Sequence, residues 1–183
     1  YRTAQEKNID GIVANSEYAM CDVAYIATDL GLVGNPEEAI AVLSTKSRFR
    51  ELQERAGLFA PKVGNELSFP VIIKPDMSSG TRGTAVVHNK AEIKDAIETC
   101  SSLSRNGKAI VEEYLPIDSE TVIEGEAFIH NGQILWEGLF RSIRSEAAPM
   151  IPMTYVFPLA EERVEELKAA LKQAIHAAGV VHG

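Results

Sequence analysis

A lysine that ends an apolar run, just before a loop of small residues, is the clearest chemical feature of this 183-residue sequence. Residues 68–75 read Ser-Phe-Pro-Val-Ile-Ile-Lys-Pro, which predicts a short strand that ends at Lys74. Residues 78–83 follow as Ser-Ser-Gly-Thr-Arg-Gly. Such a loop exposes backbone N–H groups without bulky side chains in the way, and the lysine adds a point charge. The segment therefore predicts a site for the phosphate groups of a nucleotide.

A phosphate ligand needs local positive charge here, because the chain as a whole is acidic. Its formal net charge is −8 and its pI is about 5.1, which excludes a general attraction for nucleic acid or for an anionic membrane. No apolar run approaches the roughly 20 residues of a membrane span, and no signal peptide is visible. Cys21 and Cys100 match no metal or redox spacing, so we expect reduced thiols in a cytoplasmic protein. The basic residues to follow are Lys46, Lys74, Arg82, Arg141 and Arg144.

The segments before the loop predict an α/β layer and then two helices. Residues 9–14 predict a buried strand, and residues 17–30 predict an amphipathic helix. Asn35 is the expected N-cap of the next helix. A further helix begins at Ser44 and puts Lys46 in its first turn, where the helix N-terminus favours anions. Spacing alone also allows Lys46 to be a solvated surface lysine.

Strands and helices alternate after the loop. Residues 84–88 and 109–115 predict strands on either side of a helix that Asn89 caps. Residues 161–178 predict the longest helix, and the apolar residues 180–183 begin another strand.

Asn131-Gly132 predicts a two-residue type I′ turn between strands over residues 121–130 and 133–144. A regular register from this turn puts Glu126 directly opposite Glu137, where the two carboxylates repel each other. That acidic face either points to solvent or meets a cation or ligand, and the sequence leaves both alternatives open. The predicted core face comprises Ile123, Ala127, Ile129, Ile134, Trp136 and Phe140.

The order of these pieces resembles the ATP-grasp superfamily. The resemblance extends from residue 31 to residue 183, and residues 1–30 look like the end of the Rossmann-like domain that precedes ATP-grasp modules. The matching segments are Thr45-Lys46, residues 69–75, residues 79–83, residues 111–115 (Val-Glu-Glu-Tyr-Leu), Glu120 and the hairpin around Asn131-Gly132.

The resemblance implies an α+β class protein with the ATP-grasp fold, in which two α+β lobes grip a nucleotide, preceded by the tail of a Rossmann-like α/β domain. We expect residues 1–30 to be that tail and residues 31–61 to be linking helices. Residues 62–110 would form the lid subdomain, and residues 111–183 would form part of the second lobe.

The resemblance also implies roles in ATP binding. Lys46 and Lys74 would contact the α- and β-phosphates, and residues 78–83 would close over the phosphates as a lid that excludes water. Residues 112–115 would pair through their backbone with the adenine edge, and Glu120 would bind the ribose hydroxyls. The predicted cofactor-binding residues are Lys46, Lys74, Ser78, Ser79, Gly80, Thr81, Arg82, Gly83, Glu112, Glu113, Tyr114, Leu115 and Glu120.

The resemblance implies less about the catalytic residues and the metal site of this chain. Arg141 and Arg144 are the catalytic candidates, on the substrate or phosphate side, and their alternative is charge pairing with the hairpin glutamates. In the family the Mg²⁺ ligands, a glutamate and then a Glu-x-Asn pair, lie on strands after the long helix. We therefore expect them beyond Gly183 and expect no metal ligand within this chain. Tyr1 and Gly183 both look internal to a longer protein, so we expect this segment to be inactive alone.

The implied activity is that of an ATP-dependent ligase. The parent protein would activate a small carboxylate as an acylphosphate, which an amine or similar nucleophile then attacks. One alternative is a biotin-carboxylase-like or carbamoyl-phosphate-forming module that acts on bicarbonate. Another is a non-catalytic nucleotide-binding module. The expected partners are ATP and a small carboxylate, with a homodimer to be tested, and neither nucleic acid nor a membrane.

Overall fold

We describe the chain from a computed structural model, which covers residues 2–64, 66–117, 122–145, 147–159 and 162–183. The helices are α1 (Arg2–Lys7), α2 (Met20–Leu30), α3 (Glu37–Ser44), α4 (Lys46–Arg55), α5 (Ile93–Ser102) and α6 (Val164–Ala178). The strands are β1 (Val71–Pro75), β2 (Ala85–Val87), β3 (Ala109–Glu113), β4 (Ile123–His130), β5 (Gln133–Ser145) and β6 (Ala148–Val156). Within the described ranges, none of the helices combines the length and apolar character that crossing a membrane requires.

The first sheet is antiparallel in the order β2-β1-β3, and α5 packs on one of its faces. Val71 and Ile73 of β1 are buried in a cluster with Cys100 of α5. Side chains alternate along a strand, so Ile72 and Lys74 lie on the face opposite α5. β3 belongs to this sheet, and the proposed boundary between residues 110 and 111 therefore falls inside a strand. The division into four segments stays a prediction.

The second sheet is antiparallel in the order β4-β5-β6. Its apolar face meets α3, α4 and α6 through a cluster that includes Val42, Leu52, Ile129 and Ala178. Backbone hydrogen bonds in both directions join Ile129 to Gly183, with 3.0 Å from Gly183 N to Ile129 O. The predicted strand start at residues 180–183 thus lies beside β4. The two sheets with their helices confirm the α+β class.

The helix predictions are largely confirmed. Residues 17–30 form a 3-10 turn (Glu17–Ala19) that continues as α2, and α4 begins at Lys46. Gly31 ends α2 and Gly179 ends α6, each in the left-handed region, with φ of 65° and 75°. Asn89 accepts a hydrogen bond from Ala91 N at the start of the helical segment that leads into α5.

The strand predicted over residues 9–14 is wrong. Gly11 alone makes a parallel bridge, to Val33, across the connection through α2. A strand requires a paired neighbour along its length, and within the described residues only Val33 pairs with this segment. The apolar run shows the composition of a strand but not its hydrogen bonding.

The Asn131-Gly132 turn joins β4 and β5 as predicted, but the regular register beyond it is wrong. A β-bulge leaves Leu135 without a partner on β4, so the pairing shifts by one residue. Glu126 and Glu137 therefore do not face each other. The pairs are His130–Gln133, Ile129–Ile134, Phe128–Trp136, Ala127–Glu137, Glu126–Gly138, Gly125–Leu139, Glu124–Phe140 and Ile123–Arg141.

The shifted register changes which side chains point to the core. Trp136, which a regular register would place in the core, is 53% exposed. Glu137 instead points toward α6, where its carboxylate lies 3.9 Å from Lys168 Nζ and 3.3 Å from Lys172 Nζ. Glu137 thus lies on the same face as Ala127, which packs against the core, so the two alternatives for a shared face of Glu126 and Glu137 no longer apply to it.

Asn35 is not the N-cap of α3, because its side chain is used elsewhere. Its Oδ1 accepts hydrogen bonds from Val181 N and His182 N, both at 2.8 Å. Its Nδ2 donates to the carbonyl of His182. These bonds join the start of α3 to the strand segment after α6, and Pro36 takes the N-cap position.

We expect Asn35→Ala to lower the free energy of unfolding by about 2 kcal/mol, because two backbone N–H groups lose their acceptor. Urea denaturation measures this loss, and hydrogen exchange should show reduced protection at Val181 and His182. Asn15→Ala, at an exposed position, is the matched control and should change neither. Unchanged exchange at Val181 and His182 in Asn35→Ala would contradict the assigned role.

Candidate phosphate-binding site

A cavity of about 320 Å³ lies where α4 begins, β1 ends and the loop of residues 78–83 turns. We call this loop the small-residue loop. The cavity brings together the two lysines and much of the loop that the sequence singled out, although they are far apart in the chain. It is lined by Glu17, Lys46, Lys74, Ser78, Ser79, Gly80, Thr81, Thr84 and Met150.

Lys46 is the first residue of α4 and points to the small-residue loop. Its Nζ donates a hydrogen bond to the carbonyl of Ser78 at 3.0 Å. Burial lowers the pKa of Lys46, and the nearby charge of Lys74 lowers it further, although Asp76, Glu112 and Glu17 act in the opposite direction. An anion in the cavity would relieve the repulsion between the two ammonium groups.

Asp76 anchors the N-terminus of α4 from another element. Thr45, at the N-cap, makes no side-chain capping bond. Instead Asp76 Oδ1 accepts from Ser47 N at 2.8 Å, Asp76 Oδ2 accepts from Ser47 Oγ at 3.1 Å, and Asp76 O accepts from Lys46 N at 2.9 Å. Only 2% of Asp76 is exposed. A carboxylate at a helix N-terminus stabilises the helix, and here it also fixes Lys46 relative to the end of β1.

The residues that follow Asp76 are held by the turn before β3. Asn106 Nδ2 donates to Asp76 Oδ2 at 2.8 Å, and Asp76 N donates to Lys108 O at 3.0 Å. Met77 N donates to Ser104 Oγ at 3.0 Å. The small-residue loop therefore starts from a fixed point. Sequence reasoning missed Asp76, Ser104 and Asn106, although an aspartate directly after the strand was a visible signal.

Gly83 closes the small-residue loop against the first sheet. It has φ of 74°, and a Cβ there would lie 2.7 Å from Leu103 Cδ1 and 3.0 Å from Pro75 Cγ. Cys100 Sγ donates to Gly83 O at 2.8 Å, and burial raises the pKa of this thiol. The return of the loop is thus packed, whereas Gly80, Thr81 and Arg82 between its ends are exposed.

Arg82 does not line the cavity. Its guanidinium carbon lies 5.5 Å from the ring centroid of Tyr18, and that of Arg105 lies 5.6 Å from the same centroid. Arg105 Nη1 also donates to Tyr18 O at 3.1 Å. The structure therefore places Arg82 in contact with the segment before α2, and its predicted contact with phosphate stays a prediction.

Lys74 pairs with Glu112 across the first sheet. Lys74 Nζ lies 2.6 Å from Glu112 Oε2, and Arg50 Nε lies 2.7 Å from Glu112 Oε1. The Glu112 side chain is 0% exposed. Burial by itself would raise the pKa of Glu112, but the hydrogen bonds from Arg50 and Lys74 outweigh it and hold the pKa below its ordinary value. Arg50 belongs to no motif in the sequence and was missed.

The backbone of Glu112 is engaged on both sides. It lies opposite Ile72 of β1, and Val63 bridges its other edge. Glu113 N donates to Lys62 O at 2.9 Å, and its carboxylate accepts from Lys62 N at 2.9 Å. Tyr114 and Leu115 follow the end of β3 and lie outside any strand. The backbone of Glu112 is thus paired on both edges, whereas Tyr114 and Leu115 take part in no strand pairing. The adenine contact predicted for residues 112–115 stays a prediction. Glu120 lies outside the described residues.

Arg141 and Arg144 do not line the cavity either. Arg144 Nη2 lies 2.8 Å from Glu124 Oε1, with 13% of the Arg144 side chain exposed. Arg141 lies opposite Ile123 and Val156 in the second sheet. Arg144 thus pairs with a hairpin glutamate, which was the predicted alternative to a catalytic role. The catalytic roles of Arg141 and Arg144 stay predictions.

The residues that the structure describes hold no group of three His, Cys, Asp or Glu side chains suited to a metal ion. Positive charge at the cavity comes from Lys46 and Lys74. Lys46 and Lys74 fit the phosphates of a nucleotide. The described residues do not by themselves form a site for Mg²⁺.

The sequence model of the ATP-grasp domain matches residues 41–136, which is more than half of the chain. This chain belongs to the ATP-grasp family. The match includes α4, the first sheet and the small-residue loop, so all the residues that line the cavity except Glu17 and Met150 lie within the matched part of the chain. ATP-grasp enzymes use ATP and Mg²⁺.

Curated relatives of this ATP-grasp chain include the carbamoyl phosphate synthase large chain of Mycobacterium bovis. It is 25% identical over 180 residues, which cover 87% of this chain and 16% of the relative. The corresponding protein of Corynebacterium glutamicum is 25% identical over 168 residues, which cover 81% of this chain and 15% of the relative. The chain thus spans only a small part of the length of these relatives.

Solved structures show the same fold. The L-amino acid ligase from Bacillus licheniformis has a TM-score of 0.77 at 20% identity, covering 100% of this chain and 45% of that one. The biotin carboxylase domain of 2-oxoglutarate carboxylase from Hydrogenobacter thermophilus, solved with MgADP and bicarbonate, has a TM-score of 0.80 at 19% identity, covering 98% and 45%.

We expect Glu112→Gln to lower the free energy of unfolding by about 3 kcal/mol at neutral pH, because it leaves two cations around a buried amide. The ionised carboxylate stabilises the fold above its unfolded pKa, ordinarily near 4.5, and this contribution is lost as pH falls through the lower folded pKa. The difference between the two proteins should therefore shrink below about pH 4.5.

Urea denaturation across this pH range checks the prediction. Glu98→Gln is the matched control, since 67% of that side chain is exposed and its carboxylate lies 4.0 Å from Lys94. The control should stay close to the unmodified protein at every pH. A Glu112→Gln effect of the same size at acid and neutral pH would argue against an ionised Glu112.

Proposed function

We propose that this chain is the ATP-binding part of an ATP-dependent ligase. The ligase activates a carboxylate as an acylphosphate for attack by an amine or similar nucleophile. The observation that carries the proposal is the single cavity at which Lys46, Lys74 and the small-residue loop meet. Phosphoryl transfer depends on positioning and on charge neutralisation more than on covalent help from the protein, and this cavity offers both.

Each part of the site has a role in this proposal. Lys46 and Lys74 neutralise charge on the α- and β-phosphates, and the backbone N–H groups of residues 79–81 donate to phosphate oxygens. The small-residue loop closes over the phosphates and excludes water. The backbone at Tyr114 and Leu115 pairs with the adenine edge. Glu120, by the family pattern alone, binds the ribose.

The reaction has two steps. An oxygen of the substrate carboxylate takes the γ-phosphoryl group, the bond from that phosphorus to the β-phosphate oxygen breaks, and ADP leaves. The nucleophile then forms a bond to the acyl carbon, loses a proton and expels inorganic phosphate. Mg²⁺, when bound, neutralises phosphate charge; the residues described here do not supply its ligands, so no step is assigned to it. Arg141 and Arg144 stay candidates for the substrate side.

A second candidate acceptor is bicarbonate. The carbamoyl phosphate synthase relatives match most of this chain, and a structural neighbour is a biotin carboxylase domain solved with bicarbonate. In that case the product of the first step is carboxyphosphate. A biotin-carrier or glutamine-amidotransferase partner would favour this acceptor over an organic carboxylate. The same neighbour was solved as a dimer, so a homodimer is part of the proposal.

Calorimetry with ADP on the full-length protein tests the nucleotide site. We expect Lys46→Ala and Lys74→Ala each to weaken ADP binding about 10- to 100-fold, because each removes a charge-assisted contact worth about 1.5–3 kcal/mol. Lys94→Ala is the matched control, since Lys94 is exposed and is not among the residues that line the cavity. If neither ADP nor a non-hydrolysable ATP analogue binds the unmodified protein, the proposal is wrong.

The lowered pKa of Lys46 predicts proton uptake on nucleotide binding at alkaline pH. Phosphate stabilises the charged ammonium, so the pKa of Lys46 rises toward its ordinary 10.5 in the complex. Between the two pKa values the free protein has partly lost this proton and the complex regains it. The ADP binding enthalpy should therefore depend on the ionisation heat of the buffer. Lys46→Gln should lose that dependence, and a variant that kept it would exclude Lys46 as its source.

A further inference from the structure

Arg50 does not line the phosphate cavity, but Glu112 connects it to Lys74, which does. It lies one helical turn after Lys46 on α4, and it lines a different cavity, of about 880 Å³, between α4 and residues 57–67. Its Nε lies 2.7 Å from Glu112 Oε1, while Lys74 Nζ lies 2.6 Å from Glu112 Oε2. One buried carboxylate thus separates an arginine from a lysine of the phosphate cavity.

We propose that Arg50 is a positioning residue for the nucleotide site, which holds the Glu112 carboxylate in one orientation and thereby fixes the Lys74 ammonium at the phosphate cavity. The inference rests on the proposed function, because it assigns Arg50 a part in binding the same nucleotide.

Arg50 changes the balance of charge around Lys74. Arg50, Lys74 and Glu112 are two cations and one anion, so one net positive charge faces the cavity. Without Arg50, Lys74 and Glu112 form a neutral pair, and the attraction for a phosphate falls. The Glu112 side chain is 0% exposed and those of Arg50 and Lys74 are 19% and 22% exposed, so water screens this difference only in part.

Arg50 also restricts the orientation of the Glu112 carboxylate. The terminal torsion of a glutamate is broad, so one partner alone leaves the two oxygens free to turn. Arg50 removes this freedom, because its own side chain is held by a hydrogen bond from Nη1 to Gln53 Oε1 at 2.5 Å. Its planar fork also reaches Glu112 Oε2, at 3.5 Å from Nη2. Lys74 Nζ donates to the same Oε2 at 2.6 Å, so fixing this oxygen also fixes the lysine that lines the cavity.

Helix α4 positions both Lys46 and Arg50. Residues four apart on a helix share a face, so α4 presents Lys46 and Arg50 to the first sheet together. Asp76 holds the N-terminus of α4 at the end of β1 through the bonds described above. The helix therefore delivers one cation directly to the cavity and a second one indirectly, through Glu112.

The test compares ADP binding by the unmodified full-length protein, Arg50→Met, Arg50→Lys and the control Arg55→Met. Arg55 is on the same helix, exposed, and bonds only to Glu51 O among the described contacts. We expect Arg50→Met to weaken ADP binding about tenfold at neutral pH. Arg50→Lys restores the charge without the fork, so it should recover part of the affinity, and Arg55→Met should bind ADP like the unmodified protein.

The pH profile separates positioning from a merely structural role. In Arg50→Met the buried Glu112 has lost one cation, so it takes up a proton at higher pH than in the unmodified protein. Once protonated, it no longer neutralises Lys74. The ratio of dissociation constants, Arg50→Met over unmodified, should therefore fall toward one as pH is lowered from about 8 to about 5. Comparing the two proteins at each pH cancels the titration of ADP itself.

Either of two results would overturn the inference: ADP binding by Arg50→Met that equals the unmodified protein, or a weakening that is the same at every pH. If Arg50→Met does not fold, as circular dichroism would show, Arg50→Gln keeps a donor for Glu112 without the charge and carries the same pH comparison. Failure of the unmodified protein to bind ADP is a different outcome, since it rejects the nucleotide site itself.

Discussion

The buried carboxylate of Glu112 is the interaction on which this part of the structure depends. It joins three elements, because Glu112 is on β3, Lys74 is on β1 and Arg50 is on α4. A carboxylate without exposed surface is stable in its ionised form only with partners of opposite charge, so Arg50 and Lys74 both stabilise the packing of the first sheet and α4 around Glu112. The ion pairs of Glu112 that stabilise the fold thus also place Lys74 at the cavity.

Asp76 fixes the position of Lys46, as Glu112 fixes the position of Lys74. Its carboxylate accepts hydrogen bonds from Ser47 N at the N-terminus of α4 and from Asn106 Nδ2 in the turn before β3. The two lysines of the cavity are therefore each fixed by an acidic residue that does not itself line it. A site that binds phosphates gains from this arrangement, because the cations are held in position before the ligand arrives and little side-chain entropy remains to be lost.

The small-residue loop contrasts with this fixed framework. Its ends are held, by Ser104 at Met77 and by the thiol of Cys100 at Gly83, whereas Gly80, Thr81 and Arg82 in its middle are exposed. Arg82 contacts Tyr18, which lies before α2, so the loop meets a segment outside the residues that match the ATP-grasp model. A loop that is fixed at both ends and open in the middle suits a lid, since it can close over a ligand without disturbing β1.

Local sequence determined which elements form and what chemistry they carry. Lys74 at the end of a β-branched run, the small-residue loop, Lys46 at a helix start and the Asn131-Gly132 turn all depend on propensities of neighbouring residues, and they were readable in advance. Tertiary structure alone decided the β-bulge at Leu135, the use of Asn35 away from its helix, and the partners of Asp76 and Glu112. Those outcomes depend on which distant groups need a hydrogen bond or a counter-charge, and a buried polar group selects its partner in space rather than by spacing along the chain.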